Sequence, residues 1–164
     1  MKIKRIALDA LLLALCLILS LLENALPKLP FLPPGVKLGL GNIAVLYCIL
    51  HVGKPDALIL ALLKGLFAFL TRGLTAGLLS AAGSLLSVLG TALLSYSSAS
   101  YLLLGMAGGI LHNLGQYLVI VIIGVLPLVS YYLPLLILSG LLMGSITGFI
   151  SGFLIPAAAS DKNT

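Results

Sequence analysis

Gly108-Gly109-Ile110-Leu111-His112-Asn113-Leu114-Gly115-Gln116 sets three strongly hydrogen-bonding side chains inside a run that otherwise reads as membrane helix. His112 and Gln116 are one helical turn apart and Asn113 lies between them, so on a helix all three reach towards one volume. In hydrocarbon an unpaired donor or acceptor is costly, so these groups must face a bundle interior or a wetted cavity. Two roles fit them. They line a ligand cavity, or they bond neighbouring helices as glue worth about 0.6 kcal/mol per contact. Either role requires several membrane helices packed together.

The rest of the chain agrees. Of its 164 residues 61% are hydrophobic and 8% charged, with a mean hydropathy of +1.26, whereas soluble domains carry about 25% charged residues. The expectation is an all-α, polytopic membrane protein formed as a single integral domain over residues 1–164. The net charge of +5 is scattered along the chain rather than gathered in a patch, which argues against a nucleic-acid partner. Cys16 and Cys48 lie in apolar runs without CxxC spacing and read as buried, inert thiols. Residues 6–26 are long for a signal peptide and lack an A-x-A-like exit, so they are expected to stay as a first helix.

Six helices are expected, over about 6–25, 36–51, 55–71, 74–94, 101–126 and 132–155. A proline-rich segment, Pro27 to Gly35, separates the first two and reads as a stiff cap at one surface. Pro55 suits the first turn of the third helix, and Pro127 is expected to end the fifth. Glycines and serines from Gly77 to Gly90, and Gly140, Gly144, Gly148 and Gly152 at four-residue intervals, mark faces for close helix packing. With both termini placed in the cytoplasm, Lys2, Lys4, Arg5, Lys54 and Lys162 outnumber Lys28, Lys37 and Arg72 on the outer side, as the positive-inside rule asks.

Lys64 falls about 13 Å along its helix at 1.5 Å per residue, near mid-membrane. A cation there costs about 2.5–3.5 kcal/mol on insertion scales. Lys37 and Asn42 at the start of the second helix, Lys64, Arg72, His112, Asn113 and Gln116 are therefore the candidate binding residues of an outward-opening cavity. The acidic residues are too few and too distant to neutralise its cations, which favours an anionic ligand. Snorkelling to headgroups is the competing role for Lys37 and Arg72, and a bond to Glu23 or to helix carbonyls for Lys64. No pair of acids or Asp-rich motif is present to hold magnesium, and no Walker loop to bind ATP, so binding without catalysis is expected, with no cofactor or metal.

Three motifs in order, Pro34-Gly35-Val36-Lys37-Leu38-Gly39-Leu40-Gly41-Asn42-Ile43, Thr71-Arg72-Gly73-Leu74-Thr75-Ala76-Gly77 and Leu111-His112-Asn113-Leu114-Gly115-Gln116, resemble the bacterial Gx transporter family. That family is labelled heptaprenyl diphosphate synthase component I and is similar to the substrate-binding S components of energy-coupling factor transporters. The resemblance implies a six-transmembrane-helix bundle in the plasma membrane that takes up a small anionic or amphiphilic metabolite. It also implies a transmembrane coupling subunit and a pair of ATPases as partners. Ala10 and Ala14 match the AxxxA face by which such subunits meet the coupling subunit. The label implies an alternative, a non-catalytic accessory membrane subunit of a polyprenyl diphosphate synthase. A third reading is a structural bundle whose polar residues only bond one another.

Overall fold

The computed structural model describes residues 2–25, 39–123 and 126–160, with side chains described over 3–25, 39–123 and 133–153. These residues form six helices, α1 Lys2–Ala25, α2 Gly41–His51, α3 Lys54–Arg72, α4 Leu74–Leu94, α5 Tyr101–Ile122 and α6 Leu126–Ser160, and no strand. Four segments are long and apolar enough to cross a bilayer: Ile3–Ala25, Leu74–Leu94, Tyr101–Ile122 and Leu133–Phe153. Helix α2, at 11 residues, spans only about 17 Å, against about 30 Å of hydrocarbon. Helix α3 is long enough but carries Lys54, Asp56, Lys64 and Arg72. Among the described residues the chain is thus all-helical, with four helices long and apolar enough to cross a membrane.

Two helix boundaries differ from the sequence reading for local reasons. The second helix starts at Gly41, not near 36, because Gly39 takes a left-handed φ of +76° and turns the chain before Asn42, whose amide bonds Gly39 O at 2.8 Å. The proline-rich segment and Lys37 lie outside the described residues. The fifth helix stops at Ile122, and Pro127 falls in the first turn of α6, where a missing N–H breaks no helical bond.

Successive helices run in opposite directions. Arg5 of α1 pairs with Asp56 at the start of α3, and Arg72 at the end of α3 donates to Asn24 Oδ1 at the end of α1, at 3.0 Å. Helices α1 and α3 are therefore parallel, with the short α2 returning between them. From α3 onwards each helix packs antiparallel against the next through bare glycine backbone. A methyl on Gly65 would lie 2.8 Å from Ala81 Cβ, one on Gly115 2.8 Å from Gly83 Cα, and one on Gly109 2.9 Å from Gly144 Cα. The glycine ladder expected from sequence is thus the α5–α6 seam, with Gly105 and Gly109 set against Gly140, Gly144 and Gly148.

Helix α2 is apolar on all sides and is correspondingly wrapped by its neighbours, touching α1, α3, α4 and α6. Its Ala44, Val45, Cys48 and Ile49 join Leu12 and Cys16 of α1, Ala57, Leu60 and Ala61 of α3 and Val88 of α4 in one buried cluster. Both thiols are sealed, Cys16 fully, with its Sγ donating to Gly41 O. Helix α1 covers this cluster with one face and leaves Ile3, Ile6, Leu11, Leu15 and Ile18 exposed on the others.

Candidate substrate cavity

Between α2 and the α4–α5–α6 layer lies a small, partly open cavity of about 30 Å³. Its walls follow helical periodicity. Asn42, Val45, Leu46 and Ile49 present one face of α2; Gly140, Met143, Gly144 and Thr147 present the matching face of α6. Helix α4 contributes Ser87 and Thr91, one turn apart, and α5 contributes Leu104, Gly108, His112 and Asn113 among others. The wall mixes apolar side chains with a few convergent polar groups, the composition of a small-molecule site.

The predicted residues divide sharply. Asn42, His112 and Asn113 line the cavity. Lys64 stands one step behind, only 9% exposed, with Nζ donating to Asn42 Oδ1 at 2.8 Å. That bond fixes the Asn42 amide and ties α3 to α2. Glu23 does not reach Lys64 as an ion pair; its Oε1 accepts from Gly39 N at 2.6 Å, a carboxylate just before the first turn of α2, where helix N–H groups favour negative charge. Among the described residues Lys64 has no carboxylate within ion-pair distance.

Gln116 does not line the cavity; its Nε2 lies 3.2 Å from His112 Nε2 and steadies that ring, which packs against the bare backbone of Gly83. Asn113 spends its amide on α6, donating to Leu136 O at 2.8 Å and Ser139 Oγ at 3.1 Å. Arg72 is exposed, bonded to Asn24, and no part of the cavity. Lys37 lies outside the described residues. The described wall is therefore made of neutral groups, with one charge of each sign just behind it, Lys64 bonded to the lining Asn42 and the Glu23 carboxylate bonded to the lining Gly39. Ala10 and Ala14 are both exposed on α1.

Sequence reasoning missed Ser87, Thr91 and Thr147. The hydroxyls of α4 sit among glycines, so their pattern reads as a packing face, and only the fold reveals that this face turns partly towards the cavity. Among the described residues no group of three or more His, Cys, Asp or Glu side chains is placed to hold a metal ion.

A family model described as heptaprenyl diphosphate synthase component I matches residues 12–154, from the second turn-pair of α1 to the exit of α6. The chain belongs to that family. The matched region contains the whole cavity and all the cavity-facing residues described above, so the heptaprenyl diphosphate synthase component I family is defined over the same bundle that builds the site. Neither individual curated proteins nor solved structures give a match to the chain.

Proposed function

We propose that this protein is a substrate-binding membrane subunit, similar to the S components of energy-coupling factor transporters, that captures a small anionic or amphiphilic metabolite without chemically changing it. The observation that carries the reading is Lys64. A lysine more than nine-tenths buried, held by one neutral partner and set behind the wall of an interior cavity, is an expensive arrangement. A ligand bearing negative charge at Asn42 offsets that expense; a purely structural bundle has no use for it. The scattered carboxylates support a role without catalysis.

In this reading all six helices cross the plasma membrane, with the short α2 shielded inside the bundle. The end carrying Arg5 and Lys54 faces the cytoplasm, since it holds more basic residues than the end carrying Arg72. The exposed Ala10 and Ala14 of α1 meet a transmembrane coupling subunit energised by two ATPases. The decisive experiment is uptake and ligand retention by Lys64→Met and Asn42→Ala in intact membranes. Both variants are expected to insert and purify normally while losing at least tenfold in uptake; full uptake by both removes the assignment.

The family's description supports a second reading, an accessory membrane subunit of a heptaprenyl diphosphate synthase. Copurification with a soluble, Asp-rich catalytic chain and a change in its product length favour that role. No effect on rate or length eliminates it.

A further inference from the structure

Most cavity-side glycines are small because another backbone needs the space, but Gly108 is not. A methyl group on Gly105, Gly109, Gly140 or Gly144 would run into the backbone of the facing helix. A methyl on Gly108 would meet only Thr91 Oγ1 at 3.1 Å and Ser87 Oγ at 3.2 Å. The bare Cα of Gly108 thus lets two hydroxyls approach closely, and a methyl there would have to push them back by a few tenths of an ångström.

Those hydroxyls also have no partner within the described chain. A helical Ser or Thr in an apolar setting normally bonds the carbonyl one turn back, as Ser145 does to Leu141 O and Thr147 to Met143 O. Ser87 and Thr91 make no hydrogen bond among the described residues, although they are 7% and 3% exposed and line the cavity. The sealed hydroxyls without a partner are those of Ser20, Ser84 and Ser151, whereas those of Ser87 and Thr91 open to the cavity, where a water or a ligand group can pair them. No charged side chain lines the described wall near them.

We infer that Ser87 and Thr91 form a second subsite of the cavity, over Gly108, which takes an uncharged hydrogen-bonding group such as a carbonyl, amide or hydroxyl. The inference rests on the capture reading and deepens it. The ligand presents negative charge towards Asn42 and Lys64, and a neutral polar group towards α4 and Gly108. Two hydroxyls can each donate one hydrogen bond and accept others, which suits a carbonyl or amide; they offer a phosphate no positive charge.

Benzamide and benzoate share one shape and differ in charge, which makes them suitable probes. Saturation-transfer NMR on the full chain in nanodiscs, with empty nanodiscs as the control for lipid partitioning, is expected to show benzamide bound. The Ser87→Ala/Thr91→Val pair removes the hydroxyls, and Gly108→Ala pushes them out of position; each should weaken benzamide binding at least fivefold while leaving helical content and thermal unfolding near those of the parent. Any benzoate signal should be unchanged in these variants and should fall in Lys64→Met. Absence of benzamide binding to the parent chain, undiminished binding in both variants, or benzoate binding that depends on Ser87 and Thr91 overturns the subsite. The two levels separate cleanly. Benzamide binding that needs Ser87 and Thr91, together with full uptake in Lys64→Met and Asn42→Ala, keeps the subsite and removes the capture role, whereas uptake lost in those variants with benzamide indifferent to Ser87 and Thr91 does the reverse.

Discussion

Gly108 and Gly109 are neighbours on one helix, yet alanine should act oppositely at the two. Replacing a helical glycine by alanine gains about 1 kcal/mol through reduced backbone entropy in the unfolded chain. At Gly109 the new methyl would lie 2.9 Å from Gly144 Cα and closer still to Gly140 O, both rigid backbone atoms. Helices α5 and α6 would have to move apart along the seam, and overpacking of that kind costs about 1–3 kcal/mol, here at the upper end because no side chain can rotate aside. The expected net loss for Gly109→Ala is about 2 kcal/mol. At Gly108 the methyl meets only the rotatable Ser87 hydroxyl and that of Thr91, so crowding is a few tenths of a kcal/mol and Gly108→Ala should be neutral or more stable by up to about 1 kcal/mol. Thermal unfolding of the two variants in the same nanodiscs, followed by circular dichroism, measures the contrast. Equal midpoints, or a lower midpoint for Gly108→Ala than for Gly109→Ala, would refute the argument that one glycine faces rigid backbone and the other only rotatable hydroxyls.

Other perturbations separate structural from functional polar groups. Asn113→Leu removes both bonds to α6, although Ser139 Oγ still donates to Leu136 O, so it should lower stability by about 1 kcal/mol in chemical or thermal unfolding. Lys64→Met relieves a buried cation but orphans Asn42 Oδ1; these effects oppose each other within about 1–4 kcal/mol. The single variant should therefore unfold near the parent midpoint, and Lys64→Met/Asn42→Leu should unfold above it. A large drop for Lys64→Met would mean that its amine neutralises an acid. Ala10→Leu with Ala14→Leu enlarges an exposed face of α1 without touching the cavity, so ligand retention should persist while copurification of a coupling subunit is lost. Retained copurification would move that contact elsewhere.

How much could be read from residues alone varied with the physics involved. Hydrophobic runs and proline positions specify helices well, because in a bilayer every backbone amide must be satisfied locally; order and number of helices follow. Boundaries at Gly39 and Pro127 depended on one φ angle and on which side of a turn a proline falls, neither of which periodicity records. His112, Asn113 and Gln116 do share one region, yet which polar atom faces space and which is consumed by a neighbour depends on α6 and α4. Asn113 was spent on α6, and Gln116 on His112. Arg72 and Lys64 both read as candidate binding residues, with headgroup snorkelling as the other role for Arg72; eight residues of separation carry Arg72 to an exposed end beside Asn24 and leave Lys64 inside. Ser87 and Thr91 stayed hidden because serine and threonine serve packing and binding with the same spacing.

The two sealed thiols give the molecule a means of reporting its own breathing. Cys16 on α1 and Cys48 on α2 flank the interface by which the outermost helix covers the innermost one, and neither meets solvent in the closed bundle. An alkylating reagent can modify them only while that interface is parted, so their modification rate counts opening events as amide exchange does for backbone. Comparing the two rates distinguishes α1 lifting away alone, which bares Cys16 first, from a concerted loosening that exposes both together.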